Sequence, residues 1–180
     1  NTKTKKSSLH IRAVGVGRNA SSMPLYWGRN PGKASLIRDM LPGKTGWIQI
    51  NADEIPIVSL DSMADALGWF ERKVPIAILK VDVEGFEPYA FGGAQRLLES
   101  GLVDHILMEV TGQRDDNTDN LEMLRAIVAA NYTLFAWGGT GGPRLRDVAV
   151  TNASLPELLI RKFAFKHMSQ GNLWWKRKDL

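Results

Sequence analysis

The chain contains no cysteine. That excludes disulfide staples, thiolate zinc sites and a cysteine nucleophile. It leaves the compartment open, because a domain of 180 residues buries a core without covalent help. Histidine is nearly as scarce, and His10, His105 and His167 are too widely spaced for a metal-ligand pattern. No apolar run approaches the roughly 18 residues that cross a bilayer, so no membrane span is expected. The opening residues, NTKTKKSSLH, lack the apolar stretch of a secretory signal. On these two absences a cytoplasmic location is expected. The excess of positive charge is small, +4. Basic residues gather at the ends (Lys3, Lys5 and Lys6; Lys176, Arg177 and Lys178) without the basic-and-aromatic interleaving used on RNA or single strands. Nucleic acid is therefore not an expected partner.

The residues present describe an ordinary globular protein, 44% hydrophobic and 23% charged. There are no repeats and no low-complexity run. Residues 1–8 read as a basic polar tail and 9–180 as a single domain. The chain starts at Asn1 rather than Met, which suggests a piece of a longer polypeptide or a processed one.

Hydrophobic pattern and turn residues give the expected elements. Residues 9–16, LHIRAVGV, suit a strand, MPLYWG a second short one, and WIQINADEIPIVSL one or two more, with RNPGKAS as a turn-rich loop. A helix is expected over 62–70, with Met63, Leu67 and Phe70 as its stripe and Ser62 with Asp65 as a capping box. The strand over 76–83 begins with a continuous apolar run, the pattern of a parallel strand covered on both faces. A turn near Gly92 and Gly93, a helix over 93–100 and a stop at Gly101 follow.

Residues 103–110 suit another strand, and 121–130 a helix with Leu121, Leu124 and Val128 inward and Asn131 as its left-handed stop. A strand YTLFAW running to a glycine cluster and a helix LPELLIRKF opened by Ser154 and Glu157 come next. In a last strand, NLWWKR, Trp174 and Trp175 must point to opposite faces. Strands alternating with helices over 76–137 specify α/β architecture with a mainly parallel sheet and crossover helices.

Open sheets of this kind take ligands beyond the carboxyl ends of their strands. Two such ends carry acids here: Asp82 with Glu84, and Glu109. Two readings are open. The acids could be a solvated cap, with Glu87 beside them, or a proton-handling site. Alternation places Asp82 and Glu84 on one side of the strand, and their repulsion is expected to raise the pKa of one of them toward neutrality.

The stretch LKVDVEGFE, then GGAQRLL, then ILMEV closely resembles the signature of FkbM-type methyltransferases, which use S-adenosylmethionine. Lys80, Asp82, Glu84, Gly85, Glu87, Gly93, Ala94 and Glu109 stand at the signature positions, and Leu60 with Asp61 match the family's Leu-Asp segment upstream. The resemblance implies a Rossmann-like methyltransferase sheet and O-methyl transfer to a hydroxyl of a small-molecule or glycan acceptor. It makes Asp82, Glu84 and Glu109 the candidate catalytic residues, in that order. No metal ligand is expected.

The family's opening strand, with its acidic and glycine-rich cofactor loop, and the second strand ending in a ribose-binding acid are not found. Gly15, Gly17 and Ala20 imitate a dinucleotide fingerprint, but Pro24, Gly28, Pro31 and Gly32 follow where a helix is required. These glycines are therefore expected in a turn between strands. The resulting expectation is the C-terminal two-thirds of a methyltransferase, incomplete at its N-terminus, without activity as it stands and open to self-association through an incomplete sheet. A non-catalytic α/β binding or scaffold module derived from such an enzyme is the alternative. A nicotinamide-dependent oxidoreductase would need an acid ending a second strand, and Asp39 in LIRDMLPG makes a poor one.

Overall fold

The computed structural model describes residues 8–27, 34–37, 48–49, 54–111, 117–139, 154–164 and 170–180. The elements run β1 (Gly15–Val16), β2 (Ser21–Met23), β3 (Tyr26–Trp27), β4 (Ala34–Ser35), β5 (Ile48–Gln49), β6 (Ile55–Val58), α1 (Leu60–Ala66), β7 (Ile76–Val81), α2 (Glu87–Gly92), α3 (Gln95–Glu99), β8 (Val103–Thr111), α4 (Thr118–Ala129), β9 (Tyr132–Gly139), α5 (Leu155–Ala164) and β10 (Gln170–Arg177). This is an α/β protein, as expected.

Its main sheet has the order β7-β8-β10-β9. β7 and β8 are parallel, and β10 lies antiparallel to both β8 and β9. The three strands of the 76–139 segment therefore share one direction, and the last strand enters between two of them in reverse. Two small sheets, β1-β6-β2 and β4-β3-β5, come from the first third of the chain.

One face of the main sheet holds the core. Val81, Ile106, Met108, Val110, Leu173 and Trp175 point into it and meet Phe91 of α2, Leu97 of α3, Leu124 and Ile127 of α4 and Leu159 of α5. Trp175 is fully buried and Trp174 is 37% exposed, so the two tryptophans do part to opposite faces. The other face is open among the described residues. Ile78 (57% exposed), Phe135 and Trp174 lie there, with Trp174 against Phe135 and its Nε1 donating to His105 Nδ1 at 3.2 Å. The continuous apolar run of β7 was expected to be covered on both sides. Val81 is buried and Ile76 and Leu79 pack partly against the core, while Ala77 and Ile78 are exposed and β7 stands at a sheet edge.

Other expectations shift in register. Of residues 9–16 only Gly15–Val16 pair with a neighbour, and Leu9 and Ile11 are 85% and 84% exposed. A strand is a ladder rather than an alternation, and the first residues find no partner among the described ones. The helix expected from Ser62 starts at Leu60. Its cap is Ser59, whose Oγ accepts from Ser62 N at 3.0 Å, and Leu60 and Ala64 form its buried face. The buried face of α4 is Asn120, Met123, Leu124 and Ile127, so Leu121 and Val128 sit at its margins. Asn131 and Gly101 take the expected positive φ, 71° and 67°. The Glu157 carboxylate accepts from Arg125 Nη2 at 2.7 Å. Of the turn-rich loop expected over residues 29–35, Ala34 and Ser35 instead pair with β3 as β4; residues 29–33, the glycines beyond Gly139 and the polar tail at residues 1–7 lie outside the described residues.

Contacts at Asp61 and at Gly17 help bind the first third of the chain to the rest. Asp61 N donates to Gly93 O at 2.8 Å, while the Asp61 carboxylate accepts from Arg96 N (3.0 Å) and Leu97 N (2.8 Å) at the start of α3. Gly17 and Gly93 pass so closely that a Cβ on Gly93 would run into the carbonyl oxygen of Gly17. The Leu-Asp segment is thus a clip: Leu60 enters the core and Asp61 caps a helix 34 residues further along.

Candidate active site

β7 ends at Val81, and the chain then makes a tight turn. Glu84 and Gly85 both have positive φ, 50° and 94°, and Phe86 N donates to Val83 O at 3.3 Å. Two left-handed residues inside an i to i+3 hydrogen bond mark a type I′ turn. Glycine takes that conformation freely, whereas Glu84 pays about 1 kcal/mol or more for it. Surrounding contacts hold it in place: Ser35 Oγ donates to Glu84 O at 2.8 Å.

Glu87 clamps the same turn from inside. Its Oε1 accepts from Val83 N and Gly85 N, both at 3.1 Å. The side chain is fully buried, and burial raises its pKa despite those hydrogen bonds. Glu87 is therefore a structural staple of the turn and stands apart from the exposed rim.

The three candidate acids do meet. Carboxyl oxygens of Asp82, Glu84 and Glu109 lie within 4.8 Å of one another, at the carboxyl ends of the adjacent parallel strands β7 and β8. Strand alternation is not what brings Glu84 there, since the strand has ended; the left-handed turn folds it back over Asp82. The trio has the spacing of cation ligands, but Asp82 Oδ2 already accepts from Lys80 Nζ at 2.8 Å.

Burial and the Lys80 ammonium, more than repulsion, separate the pKa values, and of Asp82 and Glu109 the raised group is Glu109. Partial burial, a hydrogen bond with Asp82 and the nearby charges of Asp82, Glu84 and Glu87 push Glu109 up to about 7. Asp82 moves down, chiefly because of its hydrogen bond from Lys80. Of these two shifted carboxyl groups, Glu109 is the one raised to near neutral pH. Lys80 is the residue to which sequence reasoning gave no role. Its spacing of two from Asp82 was the available signal, because it puts both side chains on one side of an extended chain.

A cavity of about 240 Å³ opens beside this rim. Val16 of β1, Leu60 of α1, Ala90 of α2 and Leu79, Val81 and Val83 give it apolar walls, with Lys80 and Asp82 at its polar side. The glycines of β1 do not form a phosphate loop. The chain bends over residues 18–20 into β2, and a Cβ on Gly17 would stand 2.7 Å from Ile57 Cγ2. Both glycines serve protein packing, but only Gly17 lies in the expected turn between strands, since Gly15 is in β1 and pairs with Ile57.

These carboxyl groups stand at the carboxyl ends of adjacent parallel strands beside a cavity, the edge at which open α/β sheets generally take ligands. The family model described as Methyltransferase FkbM domain matches residues 4–134, well over half of the chain. The chain belongs to that family. Searches of curated proteins and of solved structures returned no match.

Proposed function

We propose that this domain is the acceptor side of an S-adenosylmethionine-dependent O-methyltransferase with a Rossmann-like sheet, acting on a hydroxyl of a small molecule or a sugar-containing acceptor. The observation that carries this reading is the convergence of Asp82, Glu84 and Glu109 on one strand-end rim beside a cavity, in a chain of the FkbM methyltransferase domain family.

The work assigned to these residues is proton handling. An acceptor hydroxyl at the rim donates its hydrogen bond to the ionised Glu109 carboxylate, which takes the proton as the oxygen becomes nucleophilic. With a pKa of about 7, Glu109 is ionised often enough to accept a proton and basic enough to be worth using, a combination that contributes typically 10²- to 10⁴-fold. Asp82 stays anionic beside Lys80 and orients the pair. Glu84, held in its strained turn, closes the third side.

The dinucleotide-like glycines do not make a cradle for the methyl donor. The segment after Gly17 turns into β2 rather than a helix, and a Cβ added at Gly17 would meet Ile57 and Phe86. The 180-residue chain is therefore expected to bind S-adenosylmethionine weakly or not at all, and micromolar binding in calorimetry would overturn that expectation. The catalytic assignment is tested in a protein that carries this domain behind a glycine-rich donor-binding segment. There Glu109→Gln is expected to slow methyl transfer by at least about 100-fold. Parental rates for both Glu109→Gln and Asp82→Asn would return the acids to a structural role.

A further inference from the structure

We propose that Lys80 is the positioning residue of this site: its ammonium holds Asp82 as the anion and thereby leaves on Glu109 the one proton that the two carboxyl groups share. The bearing of this on catalysis rests on the methyl-transfer reading above; the proton arrangement itself does not.

Carboxyl oxygens of Asp82 and Glu109 lie within 4.8 Å of one another. Two full negative charges that close repel, so the pair holds its last proton more tightly than a lone carboxyl would. The two sites are chemically alike, and their surroundings decide which one holds it. Lys80 Nζ is 2.8 Å from Asp82 Oδ2 and donates to it, so a proton on Asp82 would give up a charge-assisted bond. A proton on Glu109 gives up nothing of the kind.

The other charged groups that bear on Glu109 are Glu84 in the turn and Glu87 in α2, both acidic, and each favours retention of the proton. Asn172, opposite Glu109 in the β10 register, carries no charge. The raised pKa of Glu109 and the lowered one of Asp82 agree with this arrangement. Lys80 and Asp82 have side chains 67% and 40% exposed, and an exposed pair stabilises a fold very little. The task here is smaller, since a modest bias decides between two like carboxyl groups within 4.8 Å of one another.

The pair titrates as a unit, and removing the ammonium changes it in a defined way. Without that positive charge both carboxyl groups hold protons more tightly, so the upper step moves to higher pH. Asp82 also becomes a competitive site for the shared proton, so its carboxyl carbon begins to report that upper step.

The experiment is a carboxyl-carbon NMR titration of the 180-residue chain with Asp82 and Glu109 assigned. In the parent, Glu109 is expected to titrate near neutrality and Asp82 in the acid range. In Lys80→Met the upper midpoint is expected to rise by about half a unit or more, with the Asp82 carbon now following it. Lys80→Arg should restore the parental curves. Asp82→Asn reads the same pair from the other side and should lower the Glu109 midpoint by about one unit or more.

Superposable curves for the parent and Lys80→Met, or a parental Glu109 that titrates entirely in the acid range, would overturn the proposal. Because Lys80 is exposed, the fold is expected to survive its replacement, which the amide spectrum checks. The two readings fail separately. If these shifts occur while Glu109→Gln transfers methyl at the parental rate, the methyl-transfer role fails and the Lys80 arrangement stands. Unchanged curves with a slow Glu109→Gln enzyme give the reverse.

Discussion

Two adjacent glycines offer a stringent test of the packing, because the structure assigns opposite signs to the same substitution. Gly93 is buried where β1 passes the junction of α2 and α3. An added Cβ would collide with the carbonyl oxygen of Gly17 and stand 2.9 Å from Ser59 Cβ. Neither side yields easily. Gly17 N is fixed to Val58 O at 2.9 Å, and Gly93 O receives Asp61 N at 2.8 Å. Relief requires β1 to move off the helices, and overpacking of this kind costs about 1–3 kcal/mol. With backbone on both sides we take the upper end, and subtract up to about 1 kcal/mol for the reduced entropy of the unfolded chain.

Gly93→Ala is then expected to destabilise by about 2 kcal/mol, a fall of about 4–8 °C in Tm for a chain of this length. At Gly92 the nearest atom to an added Cβ is Arg18 Nε at 2.8 Å, the far end of a flexible side chain on an exposed surface. Arg18 can rotate away, losing only a loose 5.9 Å approach to the Tyr89 ring. Gly92→Ala is expected to be neutral or to stabilise by about 0.5 kcal/mol through helix propensity. Urea unfolding followed by tryptophan fluorescence measures both. A Gly93→Ala protein within about 0.5 kcal/mol of the parent, or a Gly92→Ala protein less stable than it, would refute the reasoning.

The clip at Asp61 should be visible in the same assay. Asp61→Ala leaves Arg96 N and Leu97 N without their acceptor and is expected to cost about 2 kcal/mol; hydrogen exchange at Leu97 should accelerate, and an unchanged rate there would count against the clip. Glu109 makes stability fall as pH rises. Its folded pKa of about 7 lies above the unfolded value of about 4.3, so its contribution is complete below pH 4 and is lost as the pH passes 7. Glu109→Gln should remove that slope and gain on the parent by about 1 kcal/mol at pH 8 relative to pH 5, the figure being reduced for the solvent that reaches this half-buried group. Asp82 has the opposite shift and acts in a separate, more acid window, so parallel pH curves for parent and variant would be a clear negative.

The acids were legible as residues and as strand ends; their arrangement was not. LKVDVEGFE placed Asp82 and Glu84 after an apolar run, and that position alone put them at the ligand-binding edge of a parallel sheet. Nothing in the letters announces that Glu84 takes a positive φ, because glutamate avoids that region unless tertiary contacts such as the Ser35 hydrogen bond impose it. Strand alternation therefore gave the right neighbours for the wrong reason. The raised pKa was expected from repulsion between Asp82 and Glu84, yet it belongs to Glu109, since burial and an ion pair are properties of the assembled site. Leu9 and Ile11 show the same limit: their alternation suits a strand, but pairing is decided by a partner elsewhere. Local features fared best, as at Gly101, Asn131 and the divergent pair Trp174 and Trp175, where geometry within a few residues settles the outcome.

The reversed strand β10 has a consequence for how the chain assembles. β9 touches the main sheet only through it, in the order β7-β8-β10-β9. As the chain leaves the ribosome, β7 and β8 can pair as soon as both have emerged. β9 must wait, its edge unsatisfied, until residues some 40 positions further on arrive to fill the slot beside it. Closure of this sheet is thus a late, all-or-none event governed by the final strand, whose Leu173 and Trp175 carry the core across the gap. A nascent chain halted at residue 165 would hold the acids of the rim in sequence while lacking the keystone of the sheet that positions them.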